Sequence, residues 1–298
     1  MRSWERAAPA LACLTPRDRA LLRVLRDLRY LTSPQAHRAC YPGCSLTSVR
    51  ARLGELRRRG LLARLRRDTF DDRRAFWGLA PVGRAAANAL DGPHPVGPAG
   101  DTAAMPRAAA VAALQLDHLA ATNEVFCDLC EAARTRRLSP IRWLAACRSI
   151  IDLDQTQLVP DAVVLIAAPA GGWWTYYLER DRGTMPLRAM REKFERYALL
   201  LRLAGAQSAD SAWALRADAW LLLACDDERR AEYLAALAAD SGLDRTWAGR
   251  ADECAAGLAA SLDGTAAPPD CPFLPAWAAG ALVVPDPNLV AEREEDHR

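Results

Sequence analysis

The stretch DGPHPVGPAGDTAAMPRAAA, residues 91–110, interrupts the periodic patterns of apolar residues on either side of it. It is rich in Pro, Gly and Ala, a composition that favours an extended connection over a helix or a strand. The chain has 298 residues, enough for two ordinary domains with separate cores. We therefore divide it into a first domain, a linker, a second domain and a C-terminal extension, over residues 1–90, 91–107, 108–262 and 263–298.

The two predicted domains carry opposite charge. Residues 1–90 contain 19 arginines and 7 acidic residues, a balance of +12. Residues 91–298 contain 20 basic and 30 acidic residues, a balance of −10, so the formal net charge of +2 hides the division. A strongly basic module is typical of a domain that binds a polyanion.

The first domain has the element order of a winged helix-turn-helix. Helical spacing of apolar residues predicts three helices near the N-terminus, with Thr15, Ser33 and Ser45 as N-caps. Two strands, LARLRR and RRAFWGLA, then flank a polar turn, and another helix begins at Pro81. On this fold the third helix enters the major groove of DNA.

Candidate DNA contacts lie on the third helix and on the strand ribbon, called the wing. Arginine can bind phosphate or read guanine, and Ser and Thr can bind phosphate or base edges. On the helix face opposite the apolar stripe, the candidates are Thr47, Ser48, Arg50, Arg52 and Arg57. On the wing, they are Arg64, Arg66, Arg67, Arg73 and Arg74. One alternative is a solvated arginine face that reflects only a general preference for arginine. Another is a module of the same fold that docks proteins.

The second domain alternates helices and strands in the order α-β-β-β-α-β-α, so the whole chain is predicted to be an α+β protein. A long helix over residues 108–137 comes first. Residues 141–150 could form a strand or a short helix, and a strand is favoured. Further strands are predicted at 158–168, 173–181 and 218–226, and helices at 187–203 and 227–242.

Two carboxylates are expected to face each other on the hairpin around APAGG. With the turn centred on Ala170, antiparallel pairing gives partner numbers a constant sum of about 340, which places Asp161 opposite Glu179. Their Cβ atoms would then lie about 5 Å apart on one face of the sheet. A one-residue shift would separate them.

Two ionised carboxylates at this separation need a cation between them or a shared proton. Oxygen ligands suit Mg²⁺ or Mn²⁺, which makes a divalent metal one candidate partner. The alternative is a surface ion-pair cluster, in which Arg180, Arg182 and Arg188 neutralise Asp161, Glu179 and Asp181 without a metal. For the nine cysteines, including Cys127-Asp-Leu-Cys130, buried apolar thiols are a better interpretation than a zinc site.

The order α-β-β-β-α-β, with Pro160-Asp161 on one strand and Glu179 on the next, resembles the PD-(D/E)xK nuclease fold, also called restriction-endonuclease-like. The resemblance implies that Asp161 and Glu179 bind Mg²⁺ or Mn²⁺. The family's lysine, two residues after the Glu, is replaced here by Asp181, which could be an additional metal ligand. Some members carry the lysine on the following helix, where this chain has Lys193, its single lysine. Glu124 on the first helix would complete the catalytic set.

The chain also resembles the replication-relaxation proteins of plasmids and mobile elements. The resemblance covers roughly residues 14–240 and rests on the N-terminal module and four short segments: LDHLAATNE, PDA, LERDRGT and KFERY. It implies binding to double-stranded DNA during plasmid replication or relaxation, alongside replication or relaxase proteins.

The sequence is compatible with three functions. The first is a DNA-binding accessory protein of a plasmid or integrative element, and the second is a Mg²⁺-dependent nicking endonuclease. The third is a transcriptional repressor whose C-terminal domain senses a signal or forms oligomers such as a homodimer. No run of 18 apolar residues and no signal-like N-terminus occur, so a cytoplasmic protein without a membrane span is expected.

Overall fold

The computed structural model describes residues 11–66, 75–90, 113–136, 141–146, 151–153, 156–167, 173–206, 219–254, 258 and 282–283. Helices and mixed sheets are both present, which confirms the α+β class. The chain forms two compact units. Unit 1 comprises Met1–Arg134 with Pro285–Arg298, and unit 2 comprises Thr135–Val284.

Unit 1 begins with three helices and a small sheet. The helices are α1 (Pro16–Leu28), α2 (Ser33–Cys40) and α3 (Leu46–Arg58), and α4 (Pro81–Leu90) follows the sheet. The strands are β1 (Tyr30–Thr32), β2 (Leu62–Arg66) and β3 (Ala75–Leu79). They form an antiparallel sheet in the order β1-β3-β2. Apolar faces of α1 and α3, including Leu21, Leu25 and Leu53, are fully buried.

Polar side chains cap the start of α1 and of α2. At α1, Thr15 accepts from the backbone of Asp18 while the Asp18 carboxylate accepts from the backbone of Thr15. Thr32 and Gln35 make the same reciprocal pair at α2. The prediction of Ser33 as this cap was wrong by one residue, because Gln35 stands three residues after Thr32 and completes a capping box there.

A long helix, α5 (Ala113–Arg136), packs in unit 1. Gln35 donates to the carbonyl of Ala120 at 2.8 Å, and Asn123 donates to the carbonyl of Tyr30 at 2.7 Å. Leu116 and Ala120 pack with Tyr30 and Phe76 in one apolar cluster. The sequence correctly predicted the helix but assigned it to the second domain. Its buried contacts are with α2 and the small sheet, so it groups with them.

Unit 2 is built on a six-stranded sheet. In chain order its strands are β4 (Ile141–Ala145), β7 (Ala162–Ala167), β8 (Trp173–Asp181), β9 (Trp220–Cys225), β10 (Thr246–Arg250) and β11 (Leu282–Val283). They lie side by side in the order β10-β9-β8-β7-β4-β11. A separate hairpin, β5 (Ile151–Leu153) with β6 (Thr156–Leu158), lies between β4 and β7 in the sequence.

Two long helices lie among the described residues of unit 2: α6 (Leu187–Ala206) follows β8, and α7 (Glu228–Asp240) follows β9. β4, β7 and β8 are antiparallel neighbours, whereas β8, β9 and β10 are parallel. One buried cluster joins side chains of β7, β8 and β9 to Met190, Phe194 and Leu200 of α6, so this helix covers one face of the sheet.

The hairpin register predicted from the sequence is confirmed. Val163 pairs with Tyr177 and Leu165 with Thr175, which is the expected constant sum. The predicted strands at 141–150, 158–168, 173–181 and 218–226 are all present, although three of the four are shorter in the structure. β5, β6 and β10 were not predicted, because three to five residues carry too little periodicity to identify a strand.

Candidate functional site

Asp161 lies immediately before β7, beside the strand that carries Glu179. Its backbone N–H donates at 3.0 Å to the carbonyl of Leu178, the residue that pairs with Ala162 at the start of β7. One carboxylate oxygen of Asp161, Oδ2, accepts from the backbone N–H of Arg180 at 2.8 Å. The side chain of Asp161 is therefore anchored to the backbone next to Glu179.

Glu179 is 2 % exposed and lies on a strand with neighbours on both sides, β7 and β9. Two side chains of α6 bind its carboxylate. Lys193 Nζ donates to Oε2, and Tyr197 Oη donates to Oε1 at 2.5 Å. The predicted position of Lys193, one helix away and facing Glu179, is confirmed.

Burial dominates the electrostatics of Glu179. It raises the pKa of this carboxyl to about 7, and the nearby Asp161 adds to the increase, while Lys193 and Tyr197 oppose it. Burial alone would lower the pKa of Lys193, but the Glu179 and Asp161 carboxylates hold it above its ordinary range. Burial and the same two carboxylates raise the pKa of Tyr197 well above its ordinary value. Lys193 therefore remains an ammonium ion and Tyr197 remains a hydrogen-bond donor.

Asp161 and Glu179 form a carboxylate pair of the kind that a divalent cation stabilises, whereas Asp181 forms an ion pair with Arg230. The Asp161 carboxylate contributes to the raised pKa of Glu179, and a cation between two such carboxylates would offset their repulsion. Asp181 Oδ1 accepts from the backbone of Gly183 at 2.7 Å, and its Oδ2 accepts from Arg230 Nε at 2.7 Å. One carboxylate oxygen of Asp181 thus binds the turn after β8, and the other binds α7. Across the described part of the chain, no three His, Cys, Asp or Glu side chains cluster as a metal site.

Glu124, expected to complete the catalytic set, has its partners in unit 1. Its Oε1 accepts from Gln35 at 2.8 Å, and its Oε2 pairs with Arg38 at 2.5 Å. The same guanidinium bonds Asp128 and Glu131 on the next turns of α5. Glu124 therefore helps to join α5 to α2 within unit 1. Asp161, Glu179 and Lys193 come together in unit 2.

The surface ion-pair interpretation of the acidic residues does not describe Glu179, because its cation is the largely buried Lys193 and the carboxylate itself is buried. Two of the three arginines that were candidates for neutralising it have other partners. Arg180 pairs with Asp226 and donates to the carbonyl of Ala224 at 3.1 Å, and Arg188 pairs with Glu192 at 3.1 Å. Glu179 and its lysine partner are therefore held inside unit 2 beside Asp161.

The candidate DNA contacts on α3 divide into two groups. Thr47, Ser48, Arg50 and Arg57 are exposed. Arg52 is instead bonded at both Nε and Nη2 to the fully buried carboxylate of Asp18, and its Nη1 pairs with Glu55 at 2.6 Å. Because this guanidinium joins α3 to α1, Arg52 is engaged within unit 1.

On the wing, Arg64 is exposed on β2, and its guanidinium carbon lies 5.5 Å from the ring centroid of Trp77 on β3. Arg66 is the last residue of β2. Arg67, Arg73 and Arg74 lie outside the described residues. Cys127 and Cys130 are fully buried on α5, which confirms the interpretation of buried thiols for this pair.

Sequence reasoning assigned no role to Tyr197 or Arg230, although both bind carboxylates of β8. For Tyr197 the signal was present, because it stands four residues after Lys193 and must share its helix face. Arg230 gave no comparable signal, since α7 and β8 are brought together only by the parallel pairing of β8 with β9.

Among the described residues, no helix is long and apolar enough to cross a membrane. The chain matches no curated protein and no solved structure. A family model described as replication-relaxation matches residues 22–213, more than half of the chain. That range includes α2, α3, α5 and the strands and helix that carry Asp161, Glu179 and Lys193. The chain therefore belongs to the replication-relaxation family.

Proposed function

We propose that this chain is a DNA-binding accessory protein for the replication, relaxation or mobilisation of a plasmid or mobile element. Membership of the replication-relaxation family supports the biological setting. The observation that carries the binding proposal is the order α1-β1-α2-α3-β2-β3 around an antiparallel sheet, which matches a winged helix.

In this proposal α3 enters the major groove of double-stranded DNA. Its exposed polar side chains, Thr47, Ser48, Arg50 and Arg57, are the proposed contacts. Arg64, on the wing, is placed at flanking phosphates. Arg52 is left out of the proposed DNA contacts, because Asp18 and Glu55 already bind its guanidinium.

The test is binding of the full chain to a fluorescent DNA duplex over a series of salt concentrations. Changing both Arg50 and Arg57 to Ala should weaken binding and lower the slope of log affinity against log salt by about 0.9 for each lost phosphate contact. Arg188→Ala is the matched control, because Arg188 is 91 % exposed but lies in unit 2. Equal affinities for the double variant and the wild type would remove α3 from the interface.

A footprinting experiment would distinguish a repressor from an accessory protein. Protection confined to the promoter of the protein's own gene would favour a repressor. Protection of an origin or transfer region would favour an accessory role in replication or mobilisation, with replication or relaxase proteins as partners.

A second candidate function, metal-dependent DNA nicking, is favoured by one specific observation. Lys193 reaches across from α6 to Glu179, beside Asp161, although the residue two positions after Glu179 is an aspartate. Strands β4, β7, β8 and β9 lie side by side, with α6 between β8 and β9 in the chain. This arrangement supports a restriction-endonuclease-like core.

In the nicking proposal Asp161 and Glu179 would hold Mg²⁺ or Mn²⁺. Such an ion, when bound, lowers the pKa of its water and neutralises charge on the phosphate. Lys193 supplies a fixed positive charge and a donor beside Glu179. A compact ammonium group suits this position better than a planar guanidinium, which spreads its charge over a fork.

The nicking test uses supercoiled plasmid with Mg²⁺ or Mn²⁺. Wild type should produce the open circle, and Asp161→Ala should abolish nicking without changing the affinity for DNA. Lys193→Arg, which keeps the charge, should still lower the rate by about 10²-fold or more. A wild-type protein that binds the plasmid but never nicks it with either metal excludes this function and leaves the DNA-binding proposal intact.

A further inference from the structure

Tyr197 and Lys193 approach the same carboxylate from one face of α6. They are four residues apart, the spacing that places side chains one above the other on a helix. Lys193 binds Oε2 of Glu179, and Tyr197 donates to Oε1 at 2.5 Å. Each oxygen of Glu179 therefore has its own partner, one charged and one neutral.

The ring of Tyr197 is held firmly, whereas a lysine side chain has four rotatable bonds. Tyr197 is 1 % exposed and belongs to the cluster between α6 and the sheet. Its ring centroid lies 5.7 Å from that of Tyr177, which pairs with Val163 two residues after Asp161. The sheet that carries Asp161 and Glu179 thus also fixes the direction of the Tyr197 hydroxyl.

We propose that Tyr197 is a positioning residue that holds Oε1 of Glu179, so that Oε2 is the oxygen available to Lys193 and to a divalent cation shared with Asp161. The inference rests on the nicking function proposed above. It distinguishes the two α6 side chains: Lys193 contributes charge next to the reacting groups, and Tyr197 acts only through the orientation of Glu179.

Tyr197→Phe removes the hydroxyl and keeps the buried ring. We expect the apparent Kd for Mn²⁺, measured by calorimetry on the full chain without DNA, to rise about tenfold, as is usual when a residue that orients a ligand is lost. The half-saturating Mn²⁺ concentration for nicking should rise by the same factor. The rate at saturating Mn²⁺ should stay within about twofold of wild type, because the ligands themselves remain.

Tyr176→Phe is the control, since it makes the same chemical change on β8 but on the opposite face of the sheet from Glu179. Its Mn²⁺ affinity should equal that of wild type. A purely structural role for the Tyr197 hydroxyl would instead lower the melting temperature without changing the Mn²⁺ affinity of the folded protein.

The possible results distinguish failure of the positioning role from failure of the nicking function on which it rests. If wild type binds Mn²⁺, Asp161→Ala does not, and Tyr197→Phe binds as tightly as wild type, the positioning role is overturned and the metal site stands. If wild type neither binds Mn²⁺ nor nicks plasmid, both the nicking function and the positioning role are excluded. A weakened affinity that excess Mn²⁺ compensates in Tyr197→Phe, but not in Asp161→Ala, supports the inference.

Discussion

At the scale of single residues, two buried carboxylates are held by opposite kinds of environment. Glu179 is buried beside another acid, and burial together with Asp161 raises its pKa to about 7. Burial also raises the pKa of Asp18, but hydrogen bonds from Arg52, Thr15 and Tyr41 outweigh it and hold the pKa below the ordinary range. Asp18 is thus stabilised as an anion within unit 1, whereas Glu179 is kept close to protonation at neutral pH. The first environment is that of a structural ion pair, and the second belongs to the metal site proposed above.

Arg52→Ala is expected to destabilise unit 1, although Arg52 lies on the polar side of α3. The change leaves the fully buried Asp18 carboxylate without its bidentate cation, with Tyr41 and Thr15 as its remaining donors. We expect a loss of about 3 kcal/mol in the free energy of unfolding, the low end for breaking a buried pair. Urea denaturation measures it. Arg57→Ala, an exposed change on the same helix, should stay within about 0.5 kcal/mol of wild type.

Stability should also depend on pH through Asp18. Because its pKa is lower in the folded protein than in the unfolded chain, the stabilisation is complete above the ordinary aspartate range. It is lost as pH falls through the folded-state pKa, below about 3.8, where the carboxylate takes up a proton. Asp18→Asn should flatten this part of the stability curve in acid denaturation. An unchanged acid limb in the variant would show that other carboxyl groups govern it.

At the scale of elements, two helical glycines have opposite surroundings. Gly83 lies on α4, where an added Cβ would stand 1.9 Å from the carbonyl oxygen of Leu61. Gly54 lies on α3, and an added Cβ there would meet nothing within 4 Å. Intrinsic helix propensity favours alanine at both positions equally. At Gly83, however, the packing of α4 against the start of β2 makes alanine unfavourable.

Gly83→Ala is therefore expected to destabilise the fold and Gly54→Ala to stabilise it. The first change forces α4 away from Leu61, which should cost about 1–3 kcal/mol, as overpacking does. The second should contribute about 0.5–1 kcal/mol, because glycine loses more backbone freedom on folding. Thermal melting of both variants measures the difference. Stabilisation by both would mean that α4 can shift at little cost.

At the scale of the whole molecule, the chain divides at a different place from the one suggested by composition. The Pro- and Gly-rich stretch at residues 91–107 precedes α5, but α5 belongs to unit 1. Buried polar groups cause this grouping. Gln35 and Asn123 are 1 % exposed, and each has a hydrogen-bond partner across the contact between α5 and the N-terminal elements.

Fragments of the N-terminal half test this grouping. A fragment of residues 1–136 should fold cooperatively, because it keeps α5. A fragment of residues 1–90 should melt at lower temperature or without a cooperative transition, because Tyr30, Phe76 and Gln35 would lose their partners on α5. Circular dichroism melting curves measure both. Equal melting temperatures would show that residues 1–90 are the complete folding unit.

Much of the local structure was determined by the sequence alone. Helical spacing and capping residues located α1 to α3, and the β-branched and aromatic runs located β7 and β8. The period of two residues in a strand is strict enough that one hairpin turn fixed the β7–β8 pairing and put Asp161 next to Glu179. The expectation that Lys193 would face Glu179 came from the resemblance to nucleases that carry their lysine on the following helix, and the structure brings the two side chains together.

Only the tertiary structure decided which partner each polar side chain takes. Arg52 was a candidate for DNA and Glu124 for catalysis, yet Asp18 binds the first and Arg38 the second. These choices join residues 34 and 86 positions apart in the chain. Periodicity describes one element at a time and carries no information about which other element will pack against it. A buried charge takes whichever opposite charge the assembled fold brings within reach, because leaving it unpaired costs more than any local preference supplies.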